Sequence, residues 1–273
     1  MKESLEIEEQ LEGRAYWIEG TTRGDGSLHR HDELELNLVV GGAAEYLIDG
    51  ERVSMRQGTL LWLFPSQNHA LSGSSEDFQM WVYVFRPGLL DRACKTDEFR
   101  ELRRAEPLRR VFTQLSLAAF ESLRDLCERA GRAFSENADL FNASIRYLLL
   151  SAWQETLGRD SESLRSEALH PGVFKAALSL CRDPAIRSLS GLARQVGMSS
   201  EHLSRLFKQQ MGQALSDYRS EQRFRKFKEL YGAGGSMNML EASLAAGFGS
   251  YTQFYRIHVK MTGKAPSEGR RGN

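Results

Sequence analysis

Residues 189–212 read LSGLARQVGMSSEHLSRLFKQQMG, and their apolar spacing decides the architecture of the C-terminal third of the chain. Leu189, Leu192, Ala193 and Val196 share one helical face, and Gly197 can take the left-handed conformation that ends such a helix. Ser199 is placed to cap a second helix, with Met198 and Leu203 as its hydrophobic staple. Leu203, Leu206 and Phe207 then point inward, which leaves Glu201, Ser204 and Arg205 on the outer face. Helix, glycine turn and capped helix form a helix-turn-helix.

The pattern returns 51 residues later, with Ser250 as cap, Phe254, Ile257 and His258 inward, and Thr252, Tyr255 and Arg256 outward. Gly247 echoes Gly197 and Gly263 echoes Gly212. Between the units, Leu215 to Leu230 reads as one stiff helix carrying Arg219, Arg223, Arg225, Lys226 and Lys228. A recognition helix fits the major groove of DNA, and successive major-groove faces lie about 34 Å apart, a distance a rigid spacer can set within one chain. The outward arginines are placed for guanine or phosphate. Lys208, Lys260 and the spacer arginines are better suited to phosphate than to bases.

Charge supports this reading. The chain is neutral overall, yet residues 171–273 hold 16 Lys/Arg against 7 Asp/Glu, a net of +9, and residues 1–170 hold 20 against 29, a net of −9. A basic segment attracts a polyanion and an acidic one avoids it. The acidic N-terminus lacks the basic-then-apolar pattern of a signal peptide, and no run of eighteen apolar residues occurs, so a cytoplasmic protein without membrane contact is expected. Cys94, Cys127 and Cys181 are odd in number and far apart, which suits reduced buried thiols.

The N-terminal half follows a different period. From Leu34 to Phe85 the apolar runs are short and alternating, with Asp49-Gly50 as a hairpin turn between Tyr46-Leu47-Ile48 and Val53-Ser54-Met55. Leu60 to Phe64 and Phe78 to Phe85 add strands at the spacing of a small barrel or sandwich. From about residue 106 the period becomes helical through Val111, Leu115, Leu123, Leu126, Leu140, Ile145, Leu149 and Trp153, predicting two long helices that end near Gly131 and Gly158. The expected organisation is α+β: a β-domain over 1–105, a helical segment over 106–158, a linker over 159–172 and an all-α domain over 173–273.

His29, His31, Glu35 and His69 form a second constellation. The spacing H-x-H-x-x-x-E gives His29, His31 and Glu35 one face of an extended strand, shared with Glu33 and Asn37, while Leu34, Leu36, Leu38 and Val40 take the other. His69 follows Gly58 to Pro65 and arrives from a separate strand. Tyr46, Trp62, Trp81, Tyr83 and Phe85 are available either to fill the core or to line a ligand pocket.

The segment from LSGLARQVGM to YRSEQRF, followed by AAGFGSYTQFYRIHVKMTGKAP, resembles the AraC/XylS family of transcription regulators over Ser188 to Arg271. The resemblance implies a sequence-specific regulator of promoter DNA, in which Glu201, Ser204, Arg205, Thr252, Tyr255 and Arg256 face bases. It implies RNA polymerase as a partner, a small-molecule effector, and a helical segment that covers the barrel and supports a homodimer. Three departures stand in the second unit: Ala242 for a larger aliphatic, Ser243 for alanine and His258 for phenylalanine, which predict a looser second core. Phe227 and Lys228 also depart, in a region where a small residue usually packs.

The four N-terminal residues resemble the cupin two-motif pattern, in which three histidines and a glutamate hold a divalent metal such as Zn, Mn, Fe or Ni. Sensor domains of the family keep such residues while taking an organic ligand without metal, so no cofactor is required. The alternative from another class is a metal-dependent cupin enzyme with a DNA-binding appendage; no general base, nucleophile or cofactor loop stands out elsewhere.

Overall fold

The computed structural model describes residues 4–21, 28–108, 112–157, 166–232 and 237–266, and the chain divides into two compact units, Met1–Ala168 and Leu169–Asn273. The first unit is strand-rich, with a short helix, α1 (Pro87–Ala93), after the seventh strand. Its strands are β1 (Gly13–Glu19), β2 (Leu34–Gly41), β3 (Ala43–Ile48), β4 (Glu51–Arg56), β5 (Thr59–Leu63), β6 (His69–Ser74), β7 (Gln79–Phe85), β8 (Phe112–Gln114) and β9 (Ser166–Ala168). They form two antiparallel sheets, ordered β1-β7-β2-β5-β8 and β6-β3-β4-β9, rather than one closed barrel. The predicted Asp49-Gly50 turn is present, with both residues at positive φ, 46° and 89°, joining β3 to β4.

Alternation along β2 builds two cores. Leu34, Leu36 and Leu38 face α2 (Leu117–Glu136) and α3 (Ala138–Leu157), packing with Phe120, Leu123, Ile145, Leu149 and Trp153. Val39 belongs to the other layer, between the sheets, with Tyr46, Val53, Met55, Leu61 and Val82. Each such Leu or Phe contributes about 1.5–3 kcal/mol when fully buried, so both faces of the five-stranded sheet are committed to packing. This settles most of the aromatic set: Trp62, Tyr83 and Phe85 lie in the helix-facing core, and only Tyr46 lies between the sheets. Trp62 is further fixed by donating Nε1–H to Thr156 Oγ1 at 2.9 Å.

The helical segment begins later than its periodicity suggests. Phe112–Gln114 pairs with β5 as a strand, and the first long helix starts only at Leu117, where Ser116 caps it. Nor does that helix stop at Gly131, which lies inside α2; it ends at Glu136. Glycine is required there by a neighbour, since a Cβ on Gly131 would sit 2.4 Å from Trp81 Cη2. Val111, Gly158 and 159–165 fall outside the described residues. The rest of the expected linker is structured: Ser166–Ala168 adds β9 to β4, and Pro171 opens α4 (Pro171–Arg182), because a proline needs no amide partner in a first helical turn.

Among the described residues of the second unit, all regular structure is helical: α4, α5 (Leu189–Gln195), α6 (Ser200–Met211), α7 (Leu215–Gly232), α8 (Met239–Ala245) and α9 (Tyr251–Thr262). The second core is filled by aromatic rings. Phe227, one of the departures noted above, is buried with Phe224, Phe248 and Phe254, its ring centroid 4.4 Å from that of Phe254. Ala242 packs in this cluster beside the rings, and Ala242 and Ser243 are both fully buried. His258 sits edge-on against Phe224 and Phe254, half-buried, with Nδ1 3.0 Å from the Lys264 carbonyl.

Candidate nucleic-acid interface and buried histidine cluster

The two helix-turn-helix units are assembled by the same local bonds. In the first, Ser188 caps α5, Gly197 turns at φ 74°, and Met198 N–H returns to the Ala193 carbonyl at 2.9 Å. In the second, Gly247 turns at φ 94°, and Phe248 N–H returns to the Ser243 carbonyl at 3.2 Å. Ser199 and Ser250 then cap α6 and α9 through the His202 and Gln253 amides. Both of those helices end in a left-handed glycine, Gly212 and Gly263. An Asn238–Glu241 capping box opens α8, a signal written in the sequence as N-x-x-E.

Inside and outside fall as the spacing predicts. Leu203, Phe207 and Phe254 are buried, and Leu206, Ile257 and His258 are intermediate. Glu201, Ser204, Arg205 and Lys208 on α6 are exposed, as are Thr252, Tyr255, Arg256 and Lys260 on α9. Two exposed neighbours join them, His202, whose ring Nδ1 is 3.1 Å from Arg205 Nη2, and Tyr251 in the first turn of α9. Lys260 also pairs with Asp217 at 3.0 Å; both are well exposed, so this tie adds little stability.

The spacer arginines divide. Arg223, expected to meet phosphate, is buried and donates to the Pro184 carbonyl through Nε (2.9 Å) and to the Ile186 carbonyl through Nη2 (3.0 Å). Arg219 reaches the Arg187 carbonyl at 3.4 Å. Both anchor α7 to the 183–187 loop, because carbonyls with no helix or sheet partner need a donor and a guanidinium supplies several. Lys228 remains exposed, and Lys226 is half-exposed.

In the first unit the structure gathers His29, His31, Glu35 and His69, though not on one strand. Only Glu35 and Asn37 lie on β2; Asp32 and Glu33 bend the chain, and His29 arrives through a two-way backbone bridge with His69 at 3.0 and 2.8 Å. Ring centroids lie 4.4 Å apart for His29 and His69, and 5.1 Å for His31 and His69. Glu35 is buried, with Oε2 3.0 Å from His31 Nε2 and 3.9 Å from His69 Nε2, while Oε1 accepts from Asn37 Nδ2 at 2.7 Å. Burial opposes every charge here. Even so, the hydrogen bond and charges of His31 and His69 hold the Glu35 carboxyl below its ordinary range. For His31, burial is outweighed by Glu35 and Glu33 and its basicity rises. His69 goes the other way, pulled down to about 4, chiefly by burial, against the attraction of Glu35.

Comparison with known proteins bears on both units. A family model described as an AraC-like ligand binding domain matches residues 16–152, and one described as a helix-turn-helix domain matches 192–272. The arabinose operon regulatory protein of Salmonella typhimurium is 26% identical over 254 residues, 87% of this chain and 83% of that protein. The melibiose operon regulatory protein of Escherichia coli is 23% identical over 257 residues, 89% and 83% respectively. Among solved structures, ToxT of Vibrio cholerae aligns over 94% of this chain and 96% of its own, at 11% identity and a TM-score of 0.36. With its twin helix-turn-helix units and its strand-rich ligand-binding domain, the chain belongs to the AraC family of DNA-binding transcription regulators.

Proposed function

We propose that α6 and α9 enter successive major grooves of a promoter, with Arg205 and Arg256 as the principal base contacts and Glu201, Ser204, Thr252 and Tyr255 beside them. Lys208 and Lys260 take phosphates. The observation that carries this reading is the repeated geometry: two capped helices, each presenting an exposed arginine six residues after its cap serine, in a segment of net charge +9.

A small molecule in the N-terminal unit regulates that binding or the recruitment of RNA polymerase, through a coupling of about 1–3 kcal/mol. The chain works as a homodimer in the cytoplasm, with Leu140 and Tyr147 exposed on α3 as apolar surface for a second copy. A regulator is favoured over an enzyme because the curated relatives are operon regulators. No helix among the described residues is long and apolar enough to cross a membrane.

Electrophoretic mobility against promoter DNA tests the interface. Each phosphate contact steepens the fall of affinity with salt, so tight binding indifferent to salt sinks this reading. Thermal shifts against a panel of sugars, aromatic acids and metals test the sensor.

A further inference from the structure

The histidine cluster presents more lone pairs than its own protons satisfy. His31 Nδ1 lies 3.0 Å from the Glu33 carbonyl and His69 Nδ1 lies 3.0 Å from the Gln67 carbonyl. A carbonyl only accepts, so in each neutral ring the proton is on Nδ1 and Nε2 is a bare lone pair. Both Nε2 atoms face the Glu35 carboxylate, itself an acceptor. His69 Nε2 is buried without a hydrogen-bond partner. Three acceptors converging in a buried place repel one another unless a cation lies among them. A single proton on His31 answers one of the two imidazoles and leaves His69 Nε2 unmet.

The ring positions suit a larger cation. One nitrogen from each of His29, His31 and His69 falls within a set whose members lie no more than 4.8 Å apart. Metal–nitrogen bonds of about 2.0–2.1 Å put the nitrogens of a tetrahedral site about 3.4 Å apart, well inside that limit, so the imidazoles must draw together by side-chain rotation as the ion binds. The outer shell is already built: main-chain carbonyls fix the tautomers of His31 and His69, and Asn37 holds Glu35 by Oε1, leaving Oε2 turned toward the imidazoles.

We propose that His29, His31 and His69, with Glu35 Oε2, bind one divalent transition-metal ion, and that this ion is the ligand sensed by the N-terminal unit. Binding would tie the 28–31 segment to β2, the central strand of one sheet, and to β6, an edge strand of the other, through a single centre. The second half of the proposal rests on the regulator reading above; the first half does not.

The test uses full-length protein stripped with chelator and titrated with Co²⁺, whose visible absorption reports the coordination sphere. The expected result is saturation at one equivalent, displacement by Zn²⁺ and a rise in Tm. His29→Gln, half-buried and the safest to fold, should abolish the tight site, and His69→Gln should do the same. Asn37→Ala should weaken Co²⁺ binding by about 10–100-fold, the effect typical of a lost outer-shell partner. No absorption at one equivalent, or an unchanged spectrum in folded His29→Gln, overturns the site. In parallel, one equivalent of Zn²⁺ should change affinity for a duplex selected from a random pool by this protein. Stoichiometric metal with unchanged DNA affinity leaves the site standing and overturns its role as effector. Loss of salt-dependent DNA binding altogether would refute the regulator reading instead.

Discussion

Gly131 and Trp81 are matched in shape: the α-carbon of the glycine leaves room for the indole edge, and an added Cβ would stand 2.4 Å from Trp81 Cη2. Alanine in mid-helix gains up to about 1 kcal/mol in helix propensity, while overpacking costs about 1–3 kcal/mol. Gly131→Ala should therefore lower the Tm of the N-terminal unit, and adding Trp81→Phe should restore part of the loss. A higher Tm for the single variant would show that the indole swings away freely.

The two turn glycines offer a controlled comparison. Gly197 and Gly247 both sit at positive φ, so alanine costs about 1 kcal/mol at either. Only at Gly247 would the new methyl also strike backbone, 2.5 Å from Ala185 Cα, whereas nothing lies within 4 Å at Gly197. Gly247→Ala should be the more destabilising by at least 1 kcal/mol, read from urea denaturation. Equal losses would mean that the Ala185 loop yields easily.

Arg205 and Arg256 are exposed, so alanine at either should leave Tm within a degree or two. Affinity for the selected duplex should fall by about 1–3 kcal/mol, with preference relaxed at particular base pairs. Lys208→Ala should instead weaken all sequences alike and reduce the salt slope by about one. Fluorescence anisotropy at several salt concentrations separates the two behaviours.

Arg223 should behave in the opposite way. Its removal takes the charged donor from the partly buried Pro184 and Ile186 carbonyls, and a hydrogen bond to a charged group contributes about 1.5–3 kcal/mol. Arg223→Gln should lower the stability of the C-terminal unit while leaving the salt slope of DNA binding unchanged. A reduced slope at full stability would return this residue to the phosphate contacts.

Burial pushes the Cys94 thiol up to about 11, despite the nearby charges of Arg103 and Arg146. A folded value above the unfolded one favours the native state at lower pH. The contribution is whole below about 9, the ordinary thiol value, and is lost as pH rises through about 11. Because the thiolate is the reactive form, iodoacetamide at pH 8 should leave Cys94 unlabelled in native protein and label it in denaturant. Rapid native labelling would place Cys94 outside the core.

The C-terminal unit was legible in the order of its residues because its information is local. A helix face, a left-handed glycine and a capping serine act over three or four positions, so Gly197, Ser199, Gly247 and Ser250 state their roles without reference to distant chain. The hairpin at Asp49-Gly50 is local in the same way. Pattern alone misplaces residues whose role is set by a partner far along the chain. Gly131 looks like a helix end until Trp81 is packed against it, and Arg223 looks like a DNA contact until the 183–187 loop supplies two carbonyls.

The histidine constellation shows the boundary between the two kinds of information. Its members could be chosen from H-x-H-x-x-x-E and a later histidine, but their assumed common strand does not exist: a bend at Asp32 and Glu33 and a backbone bridge between His29 and His69 bring them together. Residue order settles which side chains a segment offers and which local turns it takes. Long-range packing settles which of them meet, since burial and hydrogen-bond satisfaction are properties of neighbours that adjacency in the chain does not specify.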